Sequence, residues 1–335
     1  LKDRSEVFER SDLVLQVRAL GTNTDAPMDP YRDGQVVVGL LGPYDLDDDD
    51  LSTLARRRVS AFALELIPRI GRAQSMDVLT SMASVGGYKA VVLAADTLPK
   101  LFPMQMTAAG TVRPAKVFVV GAGVAGLQAI ATARRLGASV RAYDIRPEVK
   151  EEVESLGADF VDLDLETGEA ADERGYAREQ DESFYRRQRE MMTRVVGEAD
   201  VVITSAAVPG RPAPQLVTAE MIEGMNPGSV IVDLAAEGGG NCEPTRPGEI
   251  IKYADVTVAG PTNLPSTVSH TASYLFALHR SRSSFLRTWS TFSAQHGSIG
   301  RMRESTQIPP RYDGPLAFDE PSTRSFTQRI ASSAS

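Results

Sequence analysis

A chain of 335 residues is long enough for two domains with cores of their own. Its net charge of −8 argues against non-specific nucleic-acid binding, and the lack of any unbroken run of eighteen apolar residues argues against a transmembrane segment. Cys242 is the only cysteine and His270, His279 and His296 the only histidines, so neither a disulfide framework nor a thiolate metal site is expected, and a reducing, cytosol-like compartment fits.

The chain begins Leu-Lys-Asp-Arg, with neither a signal-peptide pattern nor an initiator Met, as a fragment or a processed product would. Residues 1 to about 70 read as an incomplete α/β piece. Residues 12–17 and 36–41 are expected as strands, 51–58 as a short helix and 60–66 as a third strand. The acidic run 47–50 resembles a calcium loop, but acids in the first turn of a helix complement its dipole, and a solvated helix start is the better reading. Residues 75–98 then read as a long helix able to join two domains.

The most informative stretch follows. The apolar run Val117-Phe118-Val119-Val120 reads as a buried parallel strand and leads into Gly121-Ala122-Gly123-Val124-Ala125-Gly126. A helix is expected over 127–136, stopped by Gly137, and a second strand over 139–143, ending at Asp144, eighteen residues past Gly126. This is a dinucleotide fingerprint in register. Gly121 permits the tight turn, Gly123 lets the backbone approach a pyrophosphate, and Gly126 lets the helix pack close to the strand. The helix N-terminus offers N–H groups to phosphate. Asp144 can accept from a ribose diol and would repel a 2′-phosphate, which favours NAD(H) over NADP(H).

Further on, a helix is expected over 148–156 and a strand over 159–163. Residues 164–182 are acidic and too long for an ordinary connection, as a lid would be. A helix over 184–196 and strands over 201–205, 230–233 and 256–259 complete the alternation of a doubly wound parallel sheet. The expected fold is thus α/β. A Rossmann domain spans residues 83–260, and a second, incomplete α/β domain takes in 1–82 and about 261–280. Residues 281–335, rich in Ser and Arg, read as a divergent tail, disordered beyond about residue 300.

Five strings extend these readings: RAQSMDVLTSM, FPMQMTAAGTVRPAKVFVVGAGVAGLQAIATARRLGA, YDIRPEVKEEVESLGADF, PGSVIVDLAAEGGGNCE and GPTNLPSTVSHTAS. Together they resemble the NAD(H)-binding domain in the alpha subunit of proton-translocating NAD(P) transhydrogenases, from about residue 10 to about residue 277. The resemblance implies that NADP(H) is held on a partner subunit and that a separate membrane subunit couples hydride transfer to proton movement. It also implies a homodimer, placed in the cytoplasm and held at the inner face of the cell membrane through its partners. Direct transfer between two nicotinamides needs positioning and water exclusion more than acid–base groups.

The resemblance assigns residues one at a time. Gln74 would contact the nicotinamide or its ribose and face the incoming NADP(H), with Arg69 and Asp77 holding that loop and the cofactor; from the residues alone, an Arg–Asp pair that merely pins a helix start is the preferred reading. Ala122, Gly123 and Val124 match the pyrophosphate turn, and Asp144, Ile145 and Arg146 the adenosine-ribose end. Gly175 and Tyr176 match a mobile loop, so that Tyr176 would cover the nucleotide; the alternative is a surface tyrosine. Gln188 matches a nucleotide-contacting glutamine, and Ala207 lies past the strand expected over 201–205.

Two departures accompany the resemblance. The family domain normally begins one small α/β unit earlier, with a motif rich in Glu and Arg, and Leu278-His279-Arg280-Ser281 replaces its usual continuation, as a changed reading frame would. Two other functions therefore stay open. An alanine-dehydrogenase-like enzyme shares the two-domain plan but needs a base, typically His, in the first domain. No His precedes residue 270, and Gly-Leu-Leu-Gly-Pro at 39–43 stands where one is expected. The other is an inactive, truncated NAD-binding module, whose lost subdomain would expose apolar surface.

Overall fold

The structure is a computed structural model and describes residues 3–22, 31–67, 73, 76–162, 182–207 and 211–281. All but the last residue of the loop expected to act as a lid, and most of the tail, lie outside these residues. The chain divides into two compact units, one of Leu1–Val78 with Ser273–Ser335 and one of Leu79–Ala272.

In the first unit, α1 (Arg4–Arg10) is capped by Asp3, whose side chain accepts from Glu6 N. Strands β1 (Leu13–Arg18), β2 (Val36–Leu40) and β3 (Ser60–Ala63) follow one another in a parallel sheet, with α2 (Asp48–Arg56) between β2 and β3. Asp47 caps α2, its Oδ1 accepting from Asp49 N and Asp50 N at 3.0 and 2.8 Å. The acidic run is therefore a helix start. Phe8, Val14, Val37, Leu41 and Leu54 form the core, where the Phe8 and Tyr31 rings meet edge to face at 5.3 Å. The expected strand 60–66 stops at Ala63, and a 3-10 turn, Leu64–Leu66, takes over. That turn brings the Glu65 carboxylate back to accept from Leu41 N and Gly42 N at 2.7 and 2.6 Å, inside the Gly-Leu-Leu-Gly-Pro segment.

Helix α3 (Val78–Thr97) is shorter at its start than the expected 75–98. By length and composition it is apolar enough to cross a membrane, although the sequence has no unbroken run of eighteen apolar residues. Its Ala90, Val91 and Ala94 are fully buried in the core of the second unit.

The second unit is built on a sheet of seven strands. Past the exposed antiparallel hairpin of β4 (Gln105–Thr107) and β5 (Gly110–Val112), the elements are β6 (Lys116–Val120), α4 (Val124–Arg135), β7 (Ser139–Tyr143), α5 (Lys150–Ser155), β8 (Asp159–Phe160), α6 (Glu182–Gly197) and β9 (Val201–Thr204). Then come α7 (Ala219–Glu223), β10 (Val230–Asp233), β11 (Ile250–Tyr253), β12 (Val256–Ala259) and α8 (Ser269–Ser281), the last running on into the first unit's residues. The strand order is β11-β12-β10-β9-β6-β7-β8, all parallel except the edge strand β11. Leaving β11 aside, this is the 3-2-1-4-5-6 order of a dinucleotide-binding sheet.

Its inner strands β6, β9 and β10 are mostly apolar and almost wholly buried because both faces are covered. Val117 and Val119 of β6 point into one core, with α3, α4 and α5 residues. Phe118 and Val120 point into the other, with Met192 and Val196 of α6 and Ile222 of α7. The expected strand 159–163 is reduced to the two residues of β8.

Candidate nucleotide site

The order of the sheet reverses at β6, which has β7 on one side and β9 on the other. Ligands of open α/β sheets bind at the carboxyl ends of the strands on either side of such a point. The fingerprint leaves β6 there. Gly121 has φ +95°, and an added Cβ would lie 2.9 Å from Ser205 Oγ and 3.1 Å from Ala206 N. Only glycine makes that turn without pushing away the segment that follows β9. Ser205 Oγ donates back to Gly121 O at 3.1 Å. At Gly126 a Cβ would collide with Gly121 O, so the third glycine sets how closely α4 approaches the turn.

Gly123 is different in kind. It is the exposed N-cap of α4, no side chain among the described residues caps the helix there, and a Cβ would meet nothing within 4 Å. Val124 opens a 12-residue helix whose first-turn N–H groups have no intrahelical acceptor. The open space beside Gly123 and the uncapped end of α4 thus suit an anion. These features fit a pyrophosphate.

Asp144 and Arg146 stand at the end of β7. Asp144 is 8% exposed. Its Oδ2 accepts from Ala122 N at 2.7 Å, which ties the acid to the fingerprint turn. Arg146 closes on it with Nε to Oδ1, Nη2 to Oδ2 and its own backbone N–H to Oδ1, each at 2.9 Å. That hydrogen bond, with help from the Glu148 and Glu152 charges, pushes the Arg146 guanidinium above its usual range against the opposing effect of burial. Ile145, between them, is half-buried.

Gln188 of α6 is 2% exposed. Its Nε2 donates to Tyr143 Oη at 2.9 Å, one residue before Asp144, while its Oε1 is buried with no hydrogen-bond partner among the described residues. A buried amide oxygen left unpaired costs free energy, and a nucleotide donor would relieve that cost. Ala207 is exposed just past β9.

The sequence pattern did not reveal what holds this rim. Asn241, fully buried, accepts from Ala206 N at 3.0 Å and donates to Ala206 O and Pro214 O, both at 2.8 Å. Asp233, also fully buried, accepts from Thr204 Oγ1 and Ala235 N on one oxygen and from Cys242 N and Thr245 Oγ1 on the other. Gly240 has φ +86°, and a Cβ would lie 2.8 Å from Asp233 Oδ2. The Gly-rich string is therefore a tight turn that delivers Asn241 to the end of β9. The signal was an Asn directly after three glycines, downstream of a strand ending in Asp.

The structure thus gathers Gly121, Ala122, Gly123, Val124, Gly126, Asp144, Ile145, Arg146, Gln188 and Ala207 around the carboxyl ends of β6, β7 and β9. Asp77 is buried immediately before α3, in the first unit. Arg69, Gln74, Gly175 and Tyr176 lie outside the described residues.

Residues 90–295 match the family model described as alanine dehydrogenase/PNT, C-terminal domain, and residues 1–86 match its N-terminal counterpart. The chain belongs to the alanine dehydrogenase/PNT family. Within that family it is 51% identical over 247 residues to an NAD(P) transhydrogenase subunit alpha polypeptide of Rhodospirillum rubrum, covering 73% of this chain and 64% of the relative. It is 45% identical over 275 residues to NAD(P) transhydrogenase subunit alpha of Haemophilus influenzae, covering 81% of this chain and about half (52%) of that protein. The solved transhydrogenase of Sinorhizobium meliloti superposes with a TM-score of 0.72 at 41% identity, over 87% of this chain and 78% of that one. Alanine dehydrogenase is a more distant member, with the same fold. The expected resemblance and the doubly wound α/β fold are both borne out, and NAD(H) is the cofactor class the alanine dehydrogenase/PNT assignment supports.

Proposed function

We propose that this chain is the NAD(H)-binding component of a proton-translocating NAD(P) transhydrogenase, with NADP(H) held on a partner subunit and proton movement carried by a membrane subunit. The observation that carries the reading is the open space beside exposed Gly123 at the uncapped N-terminus of α4, with the Asp144 carboxylate tied to the same turn by its bond to Ala122 N. NAD(H), when bound, supplies or takes the hydride. The chain's own residues bind and aim it. Gly123 and Val124 hold the pyrophosphate, Asp144 accepts from the adenosine ribose, and Gln188 offers its unpaired Oε1 to the nucleotide.

Gln74, with Arg69 and Asp77 in support, aligns the nicotinamide towards the partner's ring, and Gly175 and Tyr176 cover the nucleotide and exclude water. The chain works as a homodimer at the inner face of the cell membrane, bound through its partner subunits. An amino-acid dehydrogenase needs a general base, and here the Gly-Leu-Leu-Gly-Pro segment has two of its N–H groups taken by Glu65.

The test is to combine the chain with a transhydrogenase NADP(H)-binding component and follow reduction of an NADP analogue by NADH. Transfer that requires both components supports the reading. Oxidation of an amino acid by the chain alone would replace it with the dehydrogenase reading.

A further inference from the structure

Asp144 is the residue expected to accept from an NAD(H) ribose, yet each of its lone-pair directions already has a donor. Oδ1 takes Arg146 N and Nε; Oδ2 takes Ala122 N and Arg146 Nη2. A carboxylate has about four such sites. The two backbone donors belong to the fingerprint turn and to the turn after β7, and they are fixed by the fold. The two guanidinium donors are on a side chain and can leave. They lie one on each carboxylate oxygen, which is the pattern a ribose 2′,3′-diol presents with its two hydroxyls.

We propose that Arg146 stands in for the ribose diol on Asp144 and is a held-back anchor for a 2′-phosphate, so that Asp144 selects NAD(H) chiefly by sequestering this cation. The proposal rests on the NAD(H)-binding reading of the site. Its logic is one of charge and geometry. The guanidinium fork fits a phosphate as well as it fits a carboxylate. It sits two residues past the ribose acid, at the end of the second strand, where a 2′-phosphate of NADP(H) lies in dinucleotide sites that accept one. With the Asp144 charge paired, plain repulsion of a phosphate is weakened before any nucleotide arrives. The Arg146 and Asp144 side chains are 17% and 6% exposed, so water screens the pair little and the clasp is firm. NAD(H) displaces the guanidinium and replaces its two bonds with hydroxyl donors. NADP(H) has lost the 2′-hydroxyl donor, cannot repay Asp144 in this way, and finds the neighbouring fork engaged.

The experiment compares NADH and NADPH affinities, by fluorescence or calorimetry, for the whole chain and for Asp144→Ala, Arg146→Ala and the double variant. Asp144→Ala weakens NADH binding and tightens NADPH binding in absolute terms, by tenfold or more, because Arg146 is released. The double variant loses that gain. Arg146→Ala alone leaves NADPH weak, because no guanidinium is released. If the alanine variant does not fold, Asp144→Asn, which keeps an acceptor for Ala122 N, gives the same direction for NADPH. A gain that persists in the double variant, or no gain in either Asp144 variant while the parent binds NADH tightly, overturns the proposal alone. A parent chain that binds no NADH overturns the NAD(H) reading and the proposal with it.

Discussion

Asn241 gives the sharpest mutational test of how the site is built. Its side chain makes three hydrogen bonds, to both polar atoms of the Ala206 backbone and to Pro214 O, and it is fully buried. Asn241→Ala removes all three and leaves those backbone groups to find water or go unpaired. At about 1 kcal/mol net per neutral bond, the loss is about 3 kcal/mol. For a unit of this size each kcal/mol lowers Tm by roughly 2–4 °C, so a fall of roughly 6–12 °C is expected. The same change frees the backbone beside Ala207 at the sheet's reversal point, so NADH binding should weaken several-fold in protein that is still folded. Thermal melts and NADH titration at a temperature well below both transitions measure the two effects separately. A melt within about 2 °C of the parent would refute the claim that Asn241 braces the end of β9. A destabilised variant with unchanged NADH affinity would refute the link from brace to site.

Three further outcomes are expected. At Gly87 an added Cβ would collide with the Ala125 carbonyl in the first turn of α4. Gly87→Ala should therefore cost about 1–3 kcal/mol in denaturant unfolding and weaken NADH binding by shifting α4. Cys242, whose pKa is pushed up to about 12 chiefly by burial, should resist thiol reagents at about pH 8 and react once the chain is unfolded in denaturant. Gln74→Ala should leave NADH affinity within a few-fold but slow hydride transfer to the partner by tenfold or more, about 1.4 kcal/mol in the barrier, with a pH profile that stays flat through neutrality.

The inner strands of the Rossmann sheet were legible because burial on both faces leaves mostly apolar runs, and the expected bounds 139–143, 230–233 and 256–259 agree with the structure to the residue. Edge elements were not. Strand β11 pairs with β12 across Ala254 and Asp255, both at positive φ, without the Asn-Gly or Asp-Gly that marks such a hairpin, and its exposed Ile250 hid the alternation. The hairpin of β4 and β5 is exposed at all six positions, so no burial pattern announced it. In the site, the glycine spacing and the acid at 144 were readable because fingerprint chemistry is local. The Arg146 clasp depends on a side chain folding back two residues, and the Asn241 brace joins positions thirty-five apart, which no local period records.

Under the proposed function, this chain holds NAD(H) for direct exchange with a nicotinamide on another subunit. The most direct measurement uses NADH deuterated at C4, the chain, and a transhydrogenase NADP(H)-binding component loaded with an oxidised NADP analogue. Deuterium should appear at C4 of the analogue, undiluted by solvent hydrogen, and only when both proteins are present. Loss of the label to water, or reduction that proceeds equally well without this chain, would contradict it.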